Sequence, residues 1–305
     1  MEKIKQANRT IEQADAMIST AEQAKSLAEQ DKQKYLEGIK TQIAGYKLQN
    51  EWDKAKELLK GLADNLNTLD AILEYADFCS DQNDFKEAED YYLKLKEHIF
   101  NNKDLPDICP LFVNVVNRLA NLYSKSRRYS ESLFMYTWAL KILESIMTED
   151  SSTNGFYMAQ IQHNLGVLYY DTRNYTKSES MLKSALATFE RILNLNPSAY
   201  ESDLASVMCN LGVLYQDTQR YAESEKMFKS ALDIYKRLAK TNSMVFLYDV
   251  TRTHNNLASL YTKTQRFSES EAMYRSAVET LEGLAKANPQ AYEPDLASCY
   301  KNLAV

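Results

Sequence analysis

Apolar side chains return along this chain at spacings of three and four, the signature of a helix that buries one face. One stretch carries Leu204, Val207, Met208, Leu211, Leu214 and Tyr215, breaks at the polar run DTQR, and resumes with Tyr221, Ser224, Met227, Phe228, Ala231, Leu232 and Tyr235. That pattern predicts two helices joined by a short turn. It also recurs. Leu119, Leu165, Leu211, Leu257 and Leu303 stand 46 residues apart, and residues 163–188 match 209–234 at 16 of 26 positions without a gap. A helix pair too small to bury its own face must stack on copies of itself, so the repeat predicts a solenoid.

Small residues mark where the paired helices should touch: Ala120, Gly166, Gly212, Ala258 and Ala304 on the first helix, Ala139, Ala185, Ala231 and Ala277 on the second. A mid-helix Gly costs about 1 kcal/mol, so two at one repeat position point to close backbone packing. Eight aromatics, Tyr123, Tyr169, Tyr215 and Tyr261 with Tyr129, Tyr175, Tyr221 and Phe267, are expected as wedges between helices. Within the linkers, NPSAYESDLA, NSMVFLYDVT and NPQAYEPDLA occupy equivalent places, with Asp203, Asp249 and Asp295 at a helix start and Pro294 in its first turn.

These residues resemble the tetratricopeptide repeat, on Leu165, Gly166, Tyr169, Tyr175, Ser178, Leu182, Ala185 and their counterparts. The resemblance is strong over about 115–305 and extends to the long repeats of kinesin light chains and bacterial arrays. Two positions depart from it: the small residue opening the second helix is Ser, and the period is 46 rather than 34, which lengthens each helix. The implied fold is all-α, an α-α superhelix of tetratricopeptide type.

Three regions follow. Residues 1–35 repeat Ile4, Ile11 and Ile18 with Ala7, Ala14, Ala21 and Ala28 every seven, a heptad seam. Its readings are a capping helix, a dimerising coiled coil that would make a homodimer, or a connector. Residues 36–100 hold two degenerate pairs, the second with Cys79 where the Tyr would stand, and 111–305 hold the regular array, its last repeat incomplete. NNKDLPDICP (101–110) and TEDSSTNG (148–155) read as loops.

Composition narrows the chemistry. Seven Gly and five Pro in 305 residues leave too few turn formers for a sheet protein. The net charge of −6 argues against nucleic acid or an anionic membrane as partner. No run of 18 apolar residues predicts a membrane span, and the start MEKIKQANRTIEQ has no signal-peptide stretch, so a cytoplasmic location is expected. Cys79, Cys109, Cys209 and Cys299 are scattered and read as small buried residues. No phosphate loop, nucleophile elbow, metal spacing or cofactor motif occurs, so neither catalysis nor a cofactor is expected.

What remains is a groove lined by the first helices. The position before the core Leu is Arg118, Asn164, Asn210, Asn256 and Asn302; beside it lie His163 and Asn255, and one turn on Asn121, Tyr170 and Gln216. An Asn ladder can bridge the amides of an extended peptide whatever its sequence. The same amides could instead bond neighbouring helices. The family's clamp for a terminal carboxylate lacks its cations here, which favours an internal segment. The expected function is a scaffold that binds a protein or peptide; the alternative is the regulatory or sensor arm of a larger enzyme or signalling protein.

Overall fold

The structure, a computed structural model, describes residues 29–30, 33–101, 105–146, 152–193 and 200–303. Every regular element among them is a helix. The chain divides into two units, Met1–His98 and Ile99–Val305. The heptad seam of residues 1–28 lies outside the described residues.

In the first unit, α1 (33–48), α2 (Trp52–Leu66), α3 (Leu69–Asp81) and the start of α4 (Phe85–Asn101) enclose Ala55, Leu59, Ile72, Tyr75, Ala76 and Cys79, all buried. Glu87 anchors the polar edge of that core. It accepts from Tyr75 OH at 2.6 Å and pairs with Lys56 at 2.8 Å and Lys60 at 2.6 Å. Burial pushes its carboxyl up, but those three donors win and hold it at about 2.

The second unit runs α5 (Leu105–Lys125), α6 (Tyr129–Ile146), α7 (Ser152–Asp171), α8 (Tyr175–Leu193), α9 (Glu201–Asp217), α10 (Tyr221–Thr241), α11 (Ser243–Lys263), α12 (Phe267–Ala287) and α13 (Pro289–Leu303). Each packs on the next, and the odd-numbered helices from α5 to α11 also touch one another.

One device closes each pair. Arg127, Arg173, Gln219 and Gln265, 46 residues apart, have φ of 58°, 63°, 61° and 60°. The left-handed residue lets the following N–H turn back to the helix just ended, as in Arg220 N–H to Tyr215 O at 2.7 Å. Polar residues fill this position rather than Gly.

Close approach is confirmed at the glycines. A Cβ on Gly212 would lie 2.6 Å from the Phe228 ring, and one on Gly166 would lie 2.7 Å from Leu182. The Ser that opens each second helix does more than stay small. Ser132, Ser224 and Ser270 donate to the carbonyls of Ala120, Gly212 and Ala258 at 2.8, 2.7 and 2.9 Å. A buried hydroxyl thereby satisfies itself on the partner helix. Ser178 is the exception, buried with no partner among the described residues.

Several expectations are corrected. Residues 105–110 and 152–155 are helical, not loop. The stretch 242–251 is not a linker either: α10 and α11 are separated by Asn242 alone, and α12 and α13 by Asn288 alone. Pro289 therefore starts α13, Pro294 lies inside it, and Asp249 lies well within α11. Among the aromatics, Tyr129 and Phe267 are exposed, Phe267 at 64%, so they are not wedges. They sit at the first residue of α6 and α12, where a ring can lie outside the pair.

Candidate functional site

The face formed by α5, α7, α9, α11 and α13 carries the polar residues the repeat singles out. Their geometry is a row of bonds running from each first helix to the next. Asn164 Nδ2 donates to Asn117 Oδ1 at 3.0 Å, and Asn117 Nδ2 donates to Gln160 Oε1 at 3.1 Å. Asn210 Nδ2 meets His163 Nε2 at 2.6 Å. Further along, the amides give way to sulfur and hydroxyl. Cys209 Sγ contacts Thr253 Oγ1 at 3.6 Å, and Asn255 and Cys299 contact each other at 2.9 and 3.1 Å.

The outer residues of this face are tied as well, some to the next first helix and some, Asn121 and Arg118, within their own pair. Tyr170 OH donates to Asp217, and Tyr248 OH donates to Asp295 at 2.9 Å. Gln216 Nε2 donates to Ser259 Oγ at 3.2 Å. Asn121 Oδ1 accepts from Tyr136 OH at 3.0 Å, and Arg118 Nε donates to Asn114 Oδ1 at 3.1 Å. Asn256 and Asn302 share the repeat position of Asn164 and Asn210, but their side chains make no hydrogen bond among the described residues, and Asn302 is exposed. The row is thus two kinds of site: amides spent between helices at Asn164 and Asn210, and amides held open at Asn256 and Asn302.

Buried chemistry here is neutral. Burial, reinforced by Arg252, takes His163 down to about 4. Burial, with Lys236, does the same to His254, whose Nδ1 has no partner. The thiols of Cys209 and Cys299 are pushed up by burial. His163 and Cys209 thus answer to different partners, and both stay uncharged near neutrality. Partial desolvation also raises Asp171, an exposed residue that with Asn121, Tyr136 and Asn164 lines a cavity of about 130 Å³ between α5, α6 and α7. Among the described residues no group of three His, Cys, Asp or Glu side chains could hold a metal ion. No helix among them is long and apolar enough to cross a membrane.

Reasoning from the repeat missed a second polar array, set at the turns. Arg220 Nη1 donates to Glu179 Oε2 at 2.8 Å, and Arg266 Nη1 donates to Glu225 Oε2 at 2.6 Å, each 41 residues back. Each guanidinium also lies 4.2 Å from the centre of a Tyr ring, Tyr215 or Tyr261. The signal was available: Arg at the end of TQR and Glu in the SES and SEK runs both recur at 46.

Residues 157–237 and 203–283 match the tetratricopeptide repeat family. No curated protein matches the chain. Among solved structures, BtubC (BKLC) from P. vanneervenii is 26% identical over 81% of this chain and 92% of its own, with a TM-score of 0.62. A Signal Transduction ATPase with Numerous Domains with a tetratricopeptide repeat sensor, from Pyrococcus horikoshii, is 17% identical over 86% of this chain and 37% of its own, with a TM-score of 0.59. The putative kinesin light chain nearly identical TPR-like repeats of Podospora anserina are 13% identical over 72% and 96%, with a TM-score of 0.53. The last two likenesses bear on the fold alone.

Proposed function

We propose that this chain, which belongs to the tetratricopeptide-repeat family, is a non-catalytic interaction module that takes an extended peptide or protein segment along the first-helix face. One observation carries the reading. Asn256 and Asn302 keep complete amides without partners, while Asn164 and Asn210 spend their nitrogens between helices and leave their oxygens unbonded. Backbone N–H groups of an extended segment could donate to all four oxygens, and its carbonyls could accept from the two open NH₂ groups. The buried His and Cys residues are neutral and committed to packing, which suits binding rather than chemistry.

The test is a random-peptide display selection on the intact chain, with affinities of the enriched peptides measured on wild type and on Asn256→Ala/Asn302→Ala. Each lost hydrogen bond is worth about 0.5–1.5 kcal/mol and the double variant loses four, so it should bind at least about thirtyfold more weakly at an unchanged melting temperature. No enrichment, or equal affinity for both proteins, overturns the reading.

A further inference from the structure

The outer face of α6 breaks the pattern of its sister helices. Position 134 is Phe where the equivalents are Ser180, Lys226 and Ala272; position 138 is Trp where they are Ser184, Ser230 and Ser276; position 133 is Leu where all three are Glu. Phe134 is 65% exposed. Leu133 and Trp138 are half-buried, and the Trp138 ring packs against Phe112 at 5.2 Å between centroids. Three other repeats show that this surface accepts polar side chains. The packing of the pair therefore does not require Phe134, whereas Trp138 also rests on Phe112 within the chain.

The stripe has a register. Glu131, Phe134, Trp138, Lys141 and Ser145 follow one another at three, four, three and four, the seam spacing of a helix that packs along another helix. The stripe is also self-complementary when reversed about position 136. Residue i then faces residue 272 − i of the other helix, which sets Phe134 on Trp138 and Glu131 on Lys141. Each of these contacts occurs twice across a two-fold axis, as an isologous interface requires. Glu131 and Lys141 are exposed, and the Arg128–Glu131 bond of 2.9 Å within the chain is a surface pair that leaves the carboxylate reachable.

We infer that α6 is an interface between two copies of this chain, paired antiparallel about Tyr136 with Phe134 and Trp138 stacked at the centre and the Glu131–Lys141 pairs at its rim. The occupant is a second copy rather than an unrelated helix because both the aromatic pair and the charges match their own reversal. A single helix face is a small interface, so the dimer is weak, dissociating in the micromolar range.

The experiment is sedimentation equilibrium on the intact chain across micromolar concentrations. Phe134→Lys, which installs the residue of the equivalent position 226, should weaken the dimer about thirtyfold, the usual effect of losing a central aromatic anchor, at an unchanged melting temperature. Glu131→Lys and Lys141→Glu should each weaken it, because each sets like charges face to face twice; together they should restore it. A purely structural role within the chain gives no such restoration. A chain that stays monomeric throughout overturns the inference. So does a dimer that Phe134→Lys leaves unchanged, since the N-terminal heptad seam would then carry it, or a double swap that fails to restore.

Discussion

Where α10 meets the turn between α11 and α12, Arg266 lies over the Tyr261 ring and binds Glu225, and Tyr261 OH donates to the same carboxylate at 3.1 Å. Where α6 meets the turn between α7 and α8, the equivalent residues are Leu133 and Asn174. Both partners have changed together. With no acid to reach for, Asn174 accepts from the N–H of Lys177 at 3.3 Å and caps its own helix. The backbone plan is common to the two junctions. The later repeats join neighbours through a charged clamp at the turn, while the first pair gives that surface to apolar side chains. In a solenoid each interface is made only with the adjacent repeat, so one junction can be rewritten without disturbing the others.

The largest contrast should come from the backbone contact. Gly212→Leu drives a side chain into Phe228, for about 3 kcal/mol of lost stability, while Ala120 at the same position of α5 already carries a Cβ. Gly283, with open space around it, should instead gain about 0.5–1 kcal/mol as Gly283→Ala. Chemical denaturation of both variants checks the pairing; equal stabilities would mean that the close approach at Gly212 is absent.

Acid should separate the repeats next. His254 is 5% exposed, and its counterpart in α9 is Met208. Burial lowers the imidazole from its ordinary 6.5 to about 4 in the fold. The unfolded chain therefore takes up the proton first, so this contribution is full above pH 6.5 and lost as pH falls towards 4. His254→Met should remove up to about 3 kcal/mol of that pH dependence while leaving His163 to supply the remainder. A melting temperature whose slope between pH 6.5 and 4 is the same in both proteins would contradict it.

The clamp itself is smaller. Arg266→Ala should lower the melting temperature by less than either change above, because it removes only a partly screened ion pair and a cation–π contact. Arg266, then burial acting the other way, sets the Glu225 carboxyl at about 2, so its share is present above pH 4.5 and fades as pH falls towards 2. Installing Leu133→Glu together with Asn174→Arg should return a coupling of a few tenths to about 1 kcal/mol in a double-mutant cycle. Additive single effects would show that the two junctions differ in backbone after all.

The period made the pairs, the tight glycines and the buried serines' size legible, because each is a constraint repeated inside one unit. Contacts between units were harder. Asn164 meets Asn117 and Asn210 meets His163 at a separation of 47, one more than the period, so the partner of a ladder residue is the neighbour of its equivalent. That offset is set by how helices slide on stacking, which no residue spacing records. The run 242–251 misled for a different reason. Its Asn and polar flanks look like a connector, yet Asn242 alone turns the chain, at φ −145° and ψ 82°, and its apolar residues belong to α11.

The smallest effect bears most directly on function. Asn164 and Asn256 occupy one repeat position, yet Asn164 bridges to Asn117 and Asn256 bridges to nothing among the described residues. Asn164→Ala removes a part-buried hydrogen bond and leaves Asn117 short of a donor, which costs about 1 kcal/mol. Asn256→Ala removes no bond within the fold and replaces Asn by a better helix former, so its stability should stay within about 0.5 kcal/mol of wild type. The order reverses for ligand: a segment on the first-helix face loses both groups of an open amide at 256 but only one acceptor at 164. Denaturation and peptide affinity measured on the two single variants therefore move in opposite directions. Equal losses of stability would mean that Asn256 is also a structural bridge, and the face would then have no open amide there to offer a ligand.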